Sequence, residues 1–235
     1  KKKSIALISA FLYTTSVLPI QISHFFIVDN FATFFSALAI YACVRISLDT
    51  SSSPLIKKPN NFIERLLFFW QDFKNYAFFS IALGMAAASK INAVVLALLL
   101  PVAVLIVESA EQNKFTIKFS ECRVRNILLA ALISFLVFRI FQPYAFRGPG
   151  FLQIIPNSKW IDNLRELSIL SSGDSNYPPS LQWARRSFFF PLKNMVIWGL
   201  GLPLRVFSFS GLLSMGIRSF RGEWKKFGIV FIFTS

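Results

Sequence analysis

The sequence predicts an all-helical, multi-pass transmembrane bundle with one long extracytoplasmic loop, and three observations lead to this fold class. Hydrophobic residues make up 54% of the 235 residues and charged residues only 15%, with a mean hydropathy of +0.56. The chain contains 28 phenylalanines, a number that is tolerated where lipid or packed helices cover the rings. Apolar stretches long enough to enter a bilayer alternate with basic clusters. A soluble globular domain is therefore not expected.

Six apolar stretches are predicted to span the membrane, and a seventh begins near the end of the chain. Several are shorter than the roughly 20 residues that cross a bilayer, so we expect tilting or extension into the interface. No small-x-small cleavage site follows the first stretch, which favours a transmembrane helix over a signal peptide. We expect one transmembrane domain over 1–235, truncated at both ends. In chain order the stretches are 4–21, 29–46, 73–89, 92–107, 126–142, 193–213 and the start at 227.

The segment from Tyr76 to Val107 is predicted to form two helices rather than one. It contains a single charged residue, Lys90, and as one helix it would be about 48 Å long. A turn is therefore expected at 89–92. Upstream, 62–73 alternates apolar and polar residues, which predicts a separate amphipathic helix on the inner leaflet.

The distribution of Lys and Arg predicts which connections face the cytoplasm. One set of connections holds 16 of these residues and the other set holds 7, with Arg139 and Arg205 left inside spans. Because basic residues are enriched on the cytoplasmic side, the first set is predicted to be cytoplasmic. Residues 24–30, 89–92 and 142–191 then share the outer side. In the 142–191 loop we expect a short interfacial helix from 158 to 170, capped by Asn157 or Ser158.

Composition excludes several classes of function. The net charge of +14 comes from clusters between apolar spans rather than from one basic face, which disfavours nucleic-acid binding. Cys43 and Cys122 are far apart in the sequence and are expected to be structural. The sequence has no Walker motif, no Gly-x-Ser-x-Gly and no His-Glu-x-x-His.

The only histidine, His24, and a nearby acid, Asp29, lie at the outer end of two predicted spans. One interpretation is structural, with Asp29 accepting amide N–H bonds as a helix cap. The other adds a function, because a carboxylate in an apolar setting is costly without a partner. A His24–Asp29 pair could bind a divalent metal or a sugar hydroxyl, or share a proton.

Lys90, followed by Asn92, is a lone cation between two apolar helices. Its ammonium could extend to the outer headgroups, or it could hold the phosphate of a lipid carrier. The alanines that precede it favour close helix packing. In the long loop, aromatic residues beside Arg and Gln fit both sugar and phosphate binding and an interfacial anchor. The candidate binding residues there are Tyr144, Arg147, Gln182, Trp183 and Arg185.

Two segments give the chain a resemblance to a known family. They are 18–35 (Leu-Pro-Ile-Gln-Ile-Ser-His-Phe-Phe-Ile-Val-Asp-Asn-Phe-Ala-Thr-Phe-Phe) and 84–92 (Gly-Met-Ala-Ala-Ala-Ser-Lys-Ile-Asn). With these motifs the chain resembles membrane glycosyltransferases of the C-type fold, in the protein mannosyltransferase-like branch that includes lipid A aminoarabinose transferases. In that family an acid starts the helix after a short outer loop, as Asp29 does. A small-x-Thr/Ser-Lys segment ends a later helix, as Ser89 and Lys90 do.

The resemblance implies transfer of a sugar from a polyprenyl-phosphate donor to an extracytoplasmic protein, lipid or glycan, in a bacterial plasma membrane. It places the main catalytic acid upstream of this sequence. The candidate catalytic residues in this sequence are then Asp29, as a supporting catalytic or acceptor-orienting carboxylate, and His24, which either positions another site residue or contacts the acceptor. Lys90 and a loop arginine are the phosphate contacts. The alternative from the residues alone is a transporter or flippase for an anionic lipid or polymer. A polytopic scaffold without chemistry is the third interpretation.

Overall fold

The computed structural model describes residues 2–25, 27–48, 61–111, 119–148, 150, 153–172, 177–178, 181, 186–187, 189–199 and 201–234. These residues are helical almost throughout and contain no β-strand, which confirms the all-helical prediction. The α-helices are α1 Lys2–Thr14, α2 Val17–His24, α3 Asp29–Leu48, α4 Phe62–Ser89, α5 Leu99–Glu111, α6 Glu121–Phe141, α7 Ser158–Ser172, α8 Phe189–Asn194, α9 Gly201–Arg218 and α10 Trp224–Thr234.

The chain divides into two compact units. The smaller unit comprises Lys1–Phe25 and Gln142–Val206, and the larger comprises Phe26–Phe141 and Phe207–Ser235. In the larger unit α4 packs between α3 and α6, and α3 also contacts α5 and α10. The predicted single transmembrane domain stays a prediction.

The core of the larger unit combines small residues with a few large rings. Ala39, Ala42 and Cys43 of α3 are fully buried, and Phe79 of α4 packs in the same cluster. Small side chains let neighbouring backbones approach closely, which is how helices associate when lipid surrounds them. Gly84 is the tightest example, because a Cβ there would lie 2.6 Å from the Val137 Cβ. Any larger residue at 84 would force α4 and α6 apart.

Three helical segments are long and apolar enough to cross a membrane, namely Asp29–Leu48, Ile91–Ala110 and Glu121–Phe141. They correspond to three of the predicted spans. A fourth crossing is possible if the helices Lys3–Thr14 and Val17–His24, which meet at a 58° bend, form one broken span. A chain with these helices has the features of a membrane protein.

The predicted amphipathic helix at 62–73 is wrong as a separate element. It is the first part of α4, which continues without interruption from Phe62 to Ser89. Neither a proline nor a glycine occurs near residue 73 to end the helix. The predicted span at 73–89 is the second part of that helix, and among the described helices α4 does not have the hydropathy of a span.

The predicted span at 193–213 does not form one regular α-helix in the described residues. After α8 ends at Asn194, a π-helical segment covers Met195–Gly199, and α9 begins at Gly201.

Two sequence predictions about where helices begin and end are confirmed. The segment 76–107 breaks at Lys90, where α4 gives way to a 3-10 helix over Ile91–Leu98 that leads into α5. In the smaller unit, α7 begins at Ser158, and the Asn157 Oδ1 accepts a hydrogen bond from the Lys159 amide at 3.1 Å. That is the capping contact expected for this helix.

Candidate functional site

Two of the predicted site residues, Asp29 and Lys90, form an ion pair in the larger unit. The Lys90 Nζ donates a hydrogen bond to the Asp29 Oδ1 at 2.7 Å, although the residues are 61 positions apart. Asp29 is the first residue of α3, and Lys90 follows the last residue of α4. The packing of α3 against α4 therefore brings the two predicted motifs together.

The local backbone explains why Lys90 projects from the helix end. The Lys90 amide still donates to the Ala86 carbonyl at 2.8 Å, so the residue closes the last turn of α4. Its own backbone is extended, with φ −149° and ψ 111°, and this ends the helix. The Lys90 carbonyl then accepts a hydrogen bond from the Ala93 amide at 2.9 Å, which starts the 3-10 helix. Lys90 is thus the single residue that connects the end of α4 to the start of the 3-10 helix.

Both members of the Asp29–Lys90 pair are accessible. The Lys90 side chain is 50% exposed and the Asp29 side chain 38% exposed. Ion pairs at this exposure contribute about 0–1 kcal/mol to stability, because solvent already satisfies most of each charge. The pair can therefore be opened by a ligand at little cost. Asn92, two residues beyond Lys90, is also exposed and lies on the same connection.

The structure refines the capping interpretation of Asp29. The residue occupies the first helical position rather than the position before the helix, and its carboxylate contacts Lys90. A negative charge there still interacts favourably with the helix dipole of α3. Its charge is therefore available to a partner from another helix.

His24 ends α2 in the smaller unit, where it is exposed. Its ring lies edge-on to the Phe25 ring at a centroid distance of 6.2 Å. Since His24 and Asp29 belong to different units, their predicted pairing stays a prediction.

Two of the predicted loop residues, Tyr144 and Arg147, lie on a short structured turn of the smaller unit. Tyr144 is in the 3-10 helix Pro143–Ala145, and its carbonyl accepts a hydrogen bond from the Asn157 Nδ2 at 3.1 Å. The Arg147 amide donates to the Ile155 carbonyl at 2.9 Å. Both side chains are exposed. The predicted contacts Gln182, Trp183 and Arg185 lie outside the described residues.

Sequence reasoning missed a second set of polar contacts, at the opposite end of the larger unit. There the Arg123 Nη1 lies 2.9 Å from the Glu108 Oε1, and these side chains are only 6% and 7% exposed. The Glu108 Oε1 also accepts a hydrogen bond from the Ser120 amide at 2.8 Å. The sequence signal for this pair was one acidic residue, Glu108, and one basic residue, Arg123, each within one or two helical turns of the end of a predicted span.

Next to this buried pair lie two further contacts, one at the buried Asn126 and one at the exposed Arg125. The Asn126 Nδ2 donates to the Asp72 Oδ2 at 2.6 Å, and Asn126 is fully buried. The guanidinium of Arg125 stacks over the Phe69 ring at 5.1 Å. The Asn126–Asp72 hydrogen bond and the Arg125–Phe69 contact both join α4 to α6, so they hold the two helices in register.

The sequence predicted no definite cofactor, and a divalent metal was only one of the ligands that a His24–Asp29 pair could bind. In the part of the chain that the structure describes, no group of three or more His, Cys, Asp or Glu side chains is arranged to hold a metal ion. The chemistry of the Asp29–Lys90 pair is instead that of an anionic and a cationic hydrogen-bonding group at one point.

No protein-family model, no curated protein and no solved structure matches this chain. The likeness to C-type membrane glycosyltransferases therefore stays a prediction from the two sequence motifs.

Proposed function

We propose that this chain acts in an integral membrane glycosyltransferase, which transfers a sugar from a polyprenyl-phosphate donor to an extracytoplasmic acceptor. The observation that supports the proposal is the 2.7 Å contact between Asp29 and Lys90. These are the charged residues of the two motifs that resemble the family, and they lie together at one end of the apolar helices. A phosphate-binding cation thus lies beside a carboxylate that can orient a hydroxyl.

The reaction assigns a different task to each charge. The acceptor oxygen attacks the anomeric carbon, the bond from that carbon to the lipid phosphate oxygen breaks, and the acceptor proton passes to a carboxylate base. In the family that the chain resembles, that base lies in a different outer loop from the one before Asp29. Asp29 then orients the acceptor, and the Lys90 ammonium stabilises the negative charge of the departing phosphate.

The exposure of the pair suits an exchange of partners on donor binding. A phosphate offers Lys90 a charge-assisted hydrogen bond at least as strong as the one from a carboxylate. Opening an exposed ion pair costs about 1 kcal/mol or less. When Lys90 turns to the phosphate, the Asp29 carboxylate becomes free to accept a hydrogen bond from the acceptor hydroxyl.

Donor turnover tests the proposal directly. The purified protein in detergent is supplied with polyprenyl-phosphate sugars, and the release of free polyprenyl phosphate is followed. Asp29→Asn and Lys90→Ala are each expected to lower the rate about 100-fold, which is the usual cost of losing one electrostatic contact to a transition state. Lys74→Ala, which removes an exposed lysine elsewhere on α4, is the matched control and should leave the rate unchanged.

The outcomes separate the proposed enzyme from its alternative. Release that is insensitive to both Asp29→Asn and Lys90→Ala would remove these residues from the site. No release with any donor, from protein shown to be folded, would favour the transporter interpretation, and uptake of the same lipids into vesicles would then be measured.

A further inference from the structure

A groove of about 780 Å³ opens in the larger unit, at the end opposite the Asp29–Lys90 pair. It lies between α5 and the chain from Gly222 to Ile232, most of which belongs to α10. None of its residues belongs to the proposed transfer site. It is lined by Val102, Leu105, Ile106, Ser109, Ala110, Gly222, Glu223, Trp224, Lys225, Lys226 and Ile232.

The groove has an apolar wall and a polar rim. Val102, Leu105 and Ile106 form the wall on one side, and all three belong to the candidate span Ile91–Ala110. Ile232 closes the other side. The wall therefore lies within the apolar part of the chain, where an acyl chain is the natural neighbour.

The rim carries an excess of positive charge. Its carboxylate, Glu223, is already held by Arg218, whose Nε and Nη2 each donate a hydrogen bond at 3.0 Å. The Lys226 Nζ lies farther from that carboxylate, at 3.6 Å. Two cations, Arg218 and Lys226, thus contact one acid, and a third, Lys225, also lines the groove. An anion entering the rim gains more attraction than repulsion.

The backbone keeps this rim in place. The Lys225 carbonyl accepts a hydrogen bond from the Ser47 Oγ at 2.9 Å, which ties the rim to α3. Gly222 turns the chain with a φ of +98°, a conformation that glycine adopts readily and other residues rarely do. Trp224 packs directly over Gly228, since a Cβ at 228 would lie 2.6 Å from its ring. The rim is therefore a fixed feature of the fold.

A membrane crossed by the candidate span Ile91–Ala110 would place its headgroups at the level of the rim. Ser109 and Ala110 end that span, and they line the groove together with Lys225 and Lys226. Trp is enriched at this depth, and Trp224 lines the groove there. The distribution of Lys and Arg predicts that this end faces the cytoplasm, whose membrane leaflet is rich in anionic lipids.

We propose that the groove binds one anionic phospholipid of the surrounding membrane. An acyl chain lies along Val102, Leu105 and Ile106, and the phosphate contacts the Lys225 and Lys226 ammonium groups. The lipid joins α5 to α10 by filling the space between them. This site is independent of the proposed sugar transfer, because it uses neither Asp29 nor Lys90.

Retention of lipid in nanodiscs tests the proposal. The protein is placed in phosphatidylcholine nanodiscs containing one part in five phosphatidylglycerol, released, and weighed by native mass spectrometry. The unsubstituted protein is expected to retain one phosphatidylglycerol in preference to phosphatidylcholine. Lys225→Gln combined with Lys226→Gln should reduce this preference about tenfold or more, because each basic residue near an anionic surface contributes about 1 kcal/mol. Val102→Trp places a large ring in the space along the apolar wall and keeps both lysines. This variant should retain no phosphatidylglycerol.

Arg221→Gln is the matched control. Arg221 is exposed in the same segment but does not line the groove, so its loss should leave the preference unchanged. Equal losses for Arg221→Gln and for the double lysine variant would show attraction by surface charge in general, and would overturn the proposal. Retention that survives Val102→Trp would overturn the acyl-chain contact. Thermal protection by inorganic phosphate, at concentrations where phosphatidylglycerol gives none, would show a simple anion site instead of a lipid site.

Discussion

Two ion pairs at opposite ends of the larger unit differ in burial rather than in geometry. Lys90 and Asp29 are 2.7 Å apart with side chains 50% and 38% exposed, whereas Arg123 and Glu108 are 2.9 Å apart with 6% and 7% exposed. Water and salt weaken the first pair, while the second pair has lost its water and depends on its partners. Burial therefore separates a pair that can exchange partners from one that must persist.

The surroundings of each pair agree with this difference. The Glu108 carboxylate has a further donor, the Ser120 amide, so its charge is compensated by the protein alone. Asp29 stands at a helix end with solvent beside it. The contacts around Glu108 are thus suited to stabilising the fold, whereas the Asp29–Lys90 pair is left adjustable. Three measurements can break or sharpen this comparison.

The largest effect is expected from removing one member of the buried pair. Arg123→Met leaves the Glu108 charge buried without its counter-ion, which typically costs about 3–5 kcal/mol. Glu108→Leu combined with Arg123→Met removes both charges and should recover most of that loss. Denaturant unfolding in detergent, followed by circular dichroism, provides the free energies. A single variant that unfolds like the unsubstituted protein would contradict the structural importance of the pair.

A smaller effect is expected from the accessible pair. Lys90→Met should change the free energy of unfolding by no more than about 1 kcal/mol, because exposed pairs contribute little. That small contribution should shrink further as the salt concentration rises. The same unfolding assay at low and high salt makes the comparison. A loss as large as that of Arg123→Met would show that the two ends do not differ in the way their burial indicates.

The smallest effect is expected from the exposed pair of Arg218 and Glu223, as a dependence of stability on pH. The hydrogen bonds from Arg218 hold the pKa of Glu223 below its ordinary value of 4.5. Because the unfolded chain takes up this proton more readily, the pair contributes stability above pH 4.5. The contribution is lost as the pH falls through the folded pKa. The melting temperatures of the unsubstituted protein and Glu223→Gln should therefore differ slightly at neutral pH and converge in acid. A constant difference would exclude this linkage.

The sequence predicted the parts of the fold that depend on local signals. Composition alone indicated apolar helices, and one isolated charge was enough to locate the break at Lys90. The helix cap at Asn157 follows from its side-chain chemistry in the same way. The continuity of α4 was missed, because the polar face of 62–73 is compatible with either a surface helix or the end of a longer one.

Contacts between helices were harder to predict. Asp29 and Lys90 were each selected for their own motif, but their contact depends on how α3 packs against α4. Glu108 and Arg123 belong to no motif, and each by itself resembles an ordinary charge near a span end. Only the packing of α5 and α6 shows that both have left water. Burial of a charge is a tertiary property, so a single sequence does not encode it in any local pattern.

The position of α4 has a consequence for how the protein is made. This helix packs between α3 and α6, yet among the described helices it is not one that could enter a membrane by its own hydropathy. A translocon that samples helices one at a time as the ribosome delivers them would release α3 and α6 into lipid. It would have to retain α4 until a neighbour covered Asn75, a buried polar residue of this helix. Biogenesis of the bundle would then proceed through a helical hairpin of α3 and α4, and defects at their interface would lower the amount of inserted protein before they altered its activity.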